Sequence, residues 1–196
     1  MKSLTFSLYS SKETVFTTQE ISIILKEPNL NRLKSRINYL VKNKKLVSLR
    51  KGLYAKMSGY EIFEAANKIL TPSYISLETV LQRSGITFQD YSHTIFVLSY
   101  QTREITLGNY TISFKKIKDE ILTNPEGIVN EDGYFIASPE RAFLDRIYLD
   151  KNYYFDHLDP IDWKRARHLL KLYNNKAMER RFESYVSDFF TPHSND

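Results

Sequence analysis

The 196-residue chain contains no cysteine, which excludes disulfides, thiolate metal ligands and a cysteine nucleophile, and fits a reducing compartment. Only six glycines occur, in neither a G-x-G-x-x-G nor a P-loop arrangement, so no glycine-rich loop is on hand to cradle a nucleotide. The four histidines, His93, His157, His168 and His193, show no H-x-x-x-H or H-E-x-x-H spacing, and no metal or cofactor is expected. No run approaches the ~18 uncharged apolar residues of a membrane-spanning helix. The start, Met1-Lys2-Ser3-Leu4-Thr5, lacks the apolar core of a signal peptide, so a cytoplasmic protein with no membrane partner is expected. Acid is missing too: from Asn29 to Met57 there is neither Asp nor Glu.

What the chain does have is 42% hydrophobic residues and 14% aromatics, enough to bury a sizeable core. Its net charge of +5 is unevenly spread. Residues 1–58 hold nine Lys and three Arg against three Glu, a net of +9, whereas residues 59–196 hold 16 basic and 20 acidic groups, a net of −4. Such a split is expected when one part of a chain meets phosphates and the other meets something else.

The acid-free stretch opens with Leu30, Leu33, Ile37, Leu40 and Val41 at the spacing of one buried helical face. At 100° per residue the opposite face carries Asn31, Arg32, Ser35, Asn38, Tyr39 and Lys42, with Lys34 and Arg36 on the flanks. A solvated face ordinarily mixes both signs, so amides, hydroxyls and cations without a carboxylate point to an anionic partner, with double-stranded DNA the first candidate. After Lys45 the period changes to two, and Leu46 to Arg50, then Lys51-Gly52, then Leu53 to Met57 reads as a hairpin with cations at its tip. Upstream, Thr17-Thr18-Gln19-Glu20 forms a capping box for a short helix with Ile21, Ile24 and Leu25 that ends near Glu27-Pro28. Residues 3–11, with Leu4, Phe6, Leu8 and Tyr9, supply a first helix, and Val15-Phe16 adds a strand to the hairpin. Helix, turn, longer basic helix and basic hairpin follow the order of a winged helix-turn-helix. The expected DNA-contacting residues are Thr18, Asn31, Arg32, Lys34, Ser35, Arg36, Asn38, Tyr39 and Lys42, with Arg50 and Lys51 on the wing. A basic helical module that binds protein or RNA is the competing reading.

A junction near residues 57–60 divides this domain, 1–57, from a mixed α+β domain, 58–196, and the lack of a Pro/Gly/Ser-rich linker implies close coupling. Ser58-Gly59-Tyr60-Glu61 reads as a capping box before Ile62, Phe63, Ala66, Ile69 and Leu70, and Ser76 as the cap of a helix ending at Gly85. Thr94 to Leu98 reads as a central strand and Glu104 to Ile117 as a hairpin about Gly108-Asn109. Gly127 to Val129 and Tyr134 to Ala137 follow as shorter strands. Ser138-Pro139-Glu140-Arg141 is a helix start with Ser at the cap and Pro at the first helical position. Asp159-Pro160 repeats the device, and residues 176–190 form a last helix. The fold class is therefore α+β, a winged helix-turn-helix followed by a mixed α+β domain with a helical C-terminal tail.

The order of Leu49-Arg50-Lys51-Gly52-Leu53-Tyr54, Pro72-Ser73-Tyr74-Ile75-Ser76-Leu77-Glu78, Gly85-Ile86 and Ala137-Ser138-Pro139-Glu140-Arg141-Ala142-Phe143-Leu144-Asp145 resembles the AbiEi-like antitoxins of type IV toxin–antitoxin and phage abortive-infection systems. The resemblance runs to about residue 150 and includes no catalytic signature. It implies a winged helix that represses its own operon by binding its own promoter. It also implies a C-terminal domain that neutralises a neighbouring nucleotidyltransferase toxin, with no stable complex required.

The alternative is a stand-alone winged-helix regulator whose C-terminal domain senses a ligand or a protein partner. An enzyme is not expected. Asp145, Asp150 and Asp156 could be drawn as a nuclease carboxylate cluster, but Arg141 and Arg146 alternate with them, and solvated ion pairs explain them better. Tyr153-Tyr154-Phe155 reads equally as an interface anchor or as core.

Overall fold

The structure, a computed structural model, describes residues 4–191; His193 and the residues before Leu4 lie outside the described residues. The first unit comprises α1 (Leu4–Tyr9), β1 (Val15–Thr17), α2 (Thr18–Leu25), α3 (Leu30–Lys42), β2 (Leu46–Arg50) and β3 (Leu53–Lys56). Its capping chemistry explains the boundaries. The Thr17 hydroxyl accepts from the Glu20 amide while the Glu20 carboxylate accepts from the Thr17 amide at 2.6 Å, the reciprocal box read from the sequence. Lys26, left-handed at φ 51°, ends α2, and the Asn29 side chain accepts from the amides of Asn31 and Arg32 to start α3. The three strands form an antiparallel sheet in the order β1-β3-β2, with an irregularity between Ser48 and Arg50 and Gly52 at φ +83° in the turn. Leu8, Phe16, Ile21, Leu33, Ile37, Leu40 and Leu46 fill the core beneath the helices. Two positions depart from the periodic reading: Leu30 is 65% exposed and Val41 only half-buried. Leu30 lies in the first turn, where the chain has only just entered the helix, so the stripe that seats α3 is Leu33, Ile37 and Leu40.

The second unit runs α4 (Ile62–Ile69), β4 (Ser73–Ile75), α5 (Glu78–Arg83), β5 (Thr94–Ser99), β6 (Arg103–Leu107), β7 (Tyr110–Lys116), α6 (Asp119–Leu122), β8 (Ile128–Glu131), β9 (Tyr134–Ala137), α7 (Pro139–Leu149), α8 (Trp163–Leu170) and α9 (Lys176–Phe190). A six-stranded mixed sheet has the order β6-β7-β5-β4-β9-β8, with β5/β7 and β4/β9 parallel and the other pairs antiparallel. The apolar run from Thr94 to Ser99 lies inside it, as a strand covered on both faces should. The chain is thus a mixed α+β protein with a helical C-terminal tail, and among the described residues no helix is long and apolar enough to cross a membrane.

Several helix starts fall elsewhere than expected. Glu61, not Ser58, caps α4, its carboxylate accepting from the Phe63 amide. Asp162, not Asp159, caps α8. Residues 73–75 are a strand, and the Ser76 hydroxyl donates to Asp145 at 2.7 Å instead of capping α5. The Asp145 environment corrects a larger error, because Arg141 and Asp145 are wholly buried rather than solvated. Arg141 Nε lies 3.3 Å from Asp145, its remaining donors reach the carbonyls of Glu126 and Ile121 and the Tyr74 hydroxyl, and Tyr173 donates to Asp145 at 2.6 Å. Burial pushes the Asp145 carboxyl up, against the pull of Arg141 and the three hydroxyls. Each of the three guanidinium nitrogens donates, which makes the pair a tie between α7, β4 and the turn Lys171–Tyr173.

The two units meet through shared apolar and ionic contacts. Val15, Leu53 and Ala55 of the small sheet belong to the same continuous core as Ala65, Ala66 and Leu70 around α4. Lys68 on α4 reaches across, its ammonium 3.3 Å from Glu13, 3.0 Å from Glu20, 3.1 Å from Glu64 and 2.7 Å from the Val15 carbonyl. The expectation of close coupling rested only on the missing linker; the contacts give its physical cause.

Candidate nucleic-acid interface

α3 turns one face to the core, and the expected set occupies the other. Asn31, Arg32, Lys34, Ser35, Asn38, Tyr39 and Lys42 are all exposed, Tyr39 by 59%. Ser35 spends its proton within the helix, donating to the Asn31 carbonyl at 3.0 Å, so toward a ligand it offers an acceptor. The hairpin tip adds Lys51, exposed, and Arg50, half-buried beside the strand irregularity. Thr18 is also half-buried: its amide donates to the Gly52 carbonyl at 3.0 Å, which fixes the hairpin turn against the N-terminus of α2. The structure therefore brings α3, the start of α2 and the hairpin tip onto one small unit, and Thr18 is a link within it.

Arg36 differs from the rest of the set. Its guanidinium lies 3.3 Å from Glu27, whose carboxylate is largely buried. This pair neutralises one of the three acids of the first unit, and Lys68 lies against the other two, Glu13 and Glu20. Among the described residues, Arg32, Lys34, Lys42, Arg50 and Lys51 lie beside no carboxylate within ion-pair distance. The acid of the unit is thus turned inward or toward the second unit, and the outward field of α3 and the hairpin is cationic. Burial opposes charge on Lys68, but Glu20 and Glu64 outweigh it and hold the ammonium above the ordinary lysine range.

The expected set stopped at Lys42, yet Lys44 and Lys45, between α3 and β2, are also exposed and extend the same surface toward the hairpin. The charge run Lys42-Asn43-Lys44-Lys45 was the available signal. Lys56, in contrast, is buried, its ammonium donating to the Ser11 carbonyl at 2.8 Å, and takes no part in the surface.

No protein-family model matches the chain, and no curated protein matches it. Among solved structures it is similar to the RV2827C protein from Mycobacterium tuberculosis, at 15% identity and a TM-score of 0.45, over 92% of this chain and 79% of that one. So slight a likeness assigns neither a family nor a function.

Proposed function

We propose that the chain is a DNA-binding transcriptional repressor whose first unit, residues 1–57, is a winged helix-turn-helix. In this reading α3 enters the major groove of the chain's own promoter, presenting Arg32, Ser35 and Asn38 to base edges, while Arg50 and Lys51 on the wing meet backbone phosphates. The observation that carries it is the distribution of charge: among the described residues Arg32, Lys34 and Lys42 of α3 and Arg50 and Lys51 of the wing have no carboxylate within ion-pair distance, while Glu13, Glu20 and Glu27 are each held against a cation, Glu27 by Arg36 of α3 itself.

The second unit, net −4, is unsuited to phosphates, and we assign it the antitoxic role against a nucleotidyltransferase-type toxin encoded beside it. The motif order of residues 49–145 supports that assignment. A stand-alone regulator whose second unit senses a ligand or protein partner is the alternative, and a genome neighbourhood with no nucleotidyltransferase-like gene favours it.

The DNA reading is tested by fluorescence anisotropy of the full chain on a duplex from its own upstream region across a salt series. Each phosphate contact contributes about 0.9 to the slope of log K against log salt. Lys51→Ala lowers that slope by about one contact and weakens all duplexes alike. Arg32→Ala weakens the promoter duplex by about 1–3 kcal/mol more than a shuffled one. Wild-type affinity and slope in both variants would remove α3 and the wing from the interface.

A further inference from the structure

The C-terminal tail encloses a cleft of about 300 Å³ between the link from α7 to α8 and the last turns of α9. Tyr153, Tyr154, Phe155 and Tyr185 wall it, with Asp156 and Asp188 at the rim. The inner wall is fixed: Phe155 is buried, with its ring 4.8 Å from Tyr153 and 5.4 Å from Tyr185, and the Tyr185 hydroxyl donates to the Tyr153 carbonyl. The outer wall is open. Tyr154 is 79% exposed and, among the described residues, its ring has no neighbour in stacking or cation contact.

Charge at the rim has one sign. Asp156 uses one oxygen to accept from Thr87 and the Phe88 amide, and among the described residues neither it nor Asp188 is ion-paired. Burial first, and then Asp150, push the Tyr185 hydroxyl upward against the opposing charge of Arg181, with Asp188 adding to the rise, and the charged residues that line the cleft itself are the carboxylates Asp156 and Asp188. Of the cations on the same helix, Lys176, Arg180 and Arg181, the last is turned onto the Ile147 carbonyl. The chain itself shows what such rings accept: the Arg146 guanidinium sits 4.4 Å from the centre of the Tyr153 ring. Aromatic faces attract a guanidinium, and carboxylates beside them add charge-assisted hydrogen bonds, whereas an anionic or plainly apolar group would gain neither.

We propose that this cleft receives an arginine side chain presented by a protein partner of the second unit, its guanidinium over Tyr154 and its donors on Asp156 and Asp188. The assignment rests on the reading that the second unit meets a protein. It leaves α3 and the wing free for DNA.

The test is titration of the full isotope-labelled chain with a short capped peptide carrying one central arginine, followed by amide chemical shifts. The control is the same peptide with citrulline, equal in shape and uncharged. The arginine peptide should shift the amides of residues 153–156 and 185–190, and the citrulline peptide should not. Tyr154→Ala should weaken the response about three- to tenfold, and Asp188→Asn about threefold. Both side chains are exposed, so melting temperatures stay at the wild-type value, which separates lost contact from lost fold. An equal response to citrulline, an unchanged response in Tyr154→Ala, or no shift at ~10 mM peptide overturns the proposal. Because neither DNA nor toxin is present, failure here leaves the repressor and antitoxin readings standing, and their failure would not alter this titration.

Discussion

Replacing Lys68 by Met removes the one cation that Glu13, Glu20 and Glu64 share, at nearly unchanged side-chain volume. The three carboxylates do not suffer equally. Glu13 and Glu20 are partly exposed and regain water at little cost. Glu64 is wholly buried: one oxygen accepts from the Thr14 amide and hydroxyl at 2.9 and 2.6 Å, and the other meets only Lys68. Leaving a buried carboxylate uncompensated costs about 3–5 kcal/mol when no water can reach it. Partial hydration from the Glu13 side brings the expectation for Lys68→Met to about 2–4 kcal/mol. Adding Glu64→Gln removes the stranded charge while keeping an acceptor for Thr14, so the double variant should recover about half of that loss. Trp163, the single tryptophan, reports the second unit by fluorescence, while circular dichroism reports both units. Wild type should unfold in one transition by both probes, and Lys68→Met should lose stability and separate the two curves, the first unit melting earlier. A loss under ~0.5 kcal/mol, or a double variant no more stable than the single one, would refute the clamp.

Three further outcomes follow from the packing. Leu40→Ala empties a fully buried site under α3 and should cost about 2–5 kcal/mol, lowering helical signal and melting temperature, while Arg32→Ala at an exposed site leaves both near wild type. If Leu40→Ala melts like wild type, the outward face of α3 has been misassigned. Arg141→Met strands Asp145 in a dry site and should destabilise the second unit by about 3–5 kcal/mol in denaturant titration; no loss would show that the pair is hydrated. Tyr74 and Tyr173 are held well above the ordinary phenol value of 10.0, first by burial and then by Asp145, and Lys68 above its value of 10.5. A group whose folded pKa is raised contributes stability below its unfolded pKa and loses it as pH climbs through the folded one. Stability should therefore hold through neutral pH and fall above about pH 10, with phenolate absorbance from these two tyrosines appearing only on unfolding. Their ionisation in the folded chain at lower pH would contradict the buried network.

The sequence pattern reached most of the first unit because its signals are local. The capping box at Thr17, the stripe Leu33, Ile37 and Leu40, and the period change after Lys45 each depend on residues a few positions apart. The exposed set on α3 followed from the same stripe. Long-range chemistry was not legible. Glu27 takes Arg36, and Lys68 takes Glu13 and Glu20, through contacts that sequence spacing does not encode. Ser76 looked like a helix cap because serine is a good one; a buried carboxylate 69 residues away claimed its hydroxyl instead. Arg141 and Asp145 looked solvated because charged pairs four residues apart on a helix are commonly at the surface, and it is distant partners, the hydroxyls of Tyr74, Ser76 and Tyr173 and the carbonyls of Glu126 and Ile121, that make burial tolerable. The hint available was their position between Ala142, Phe143, Leu144 and Ile147, an apolar stretch with little room for a polar face.

The central claim, that α3 and the hairpin read DNA, is tested most directly by footprinting the full chain on its own upstream region beside an equal length of shuffled sequence. The account predicts protection confined to a discrete promoter site, lost in Arg32→Ala and weakened evenly in Lys51→Ala, with the fold intact in both. Equal protection of the two duplexes, or a discrete footprint unchanged by Arg32→Ala, would contradict it.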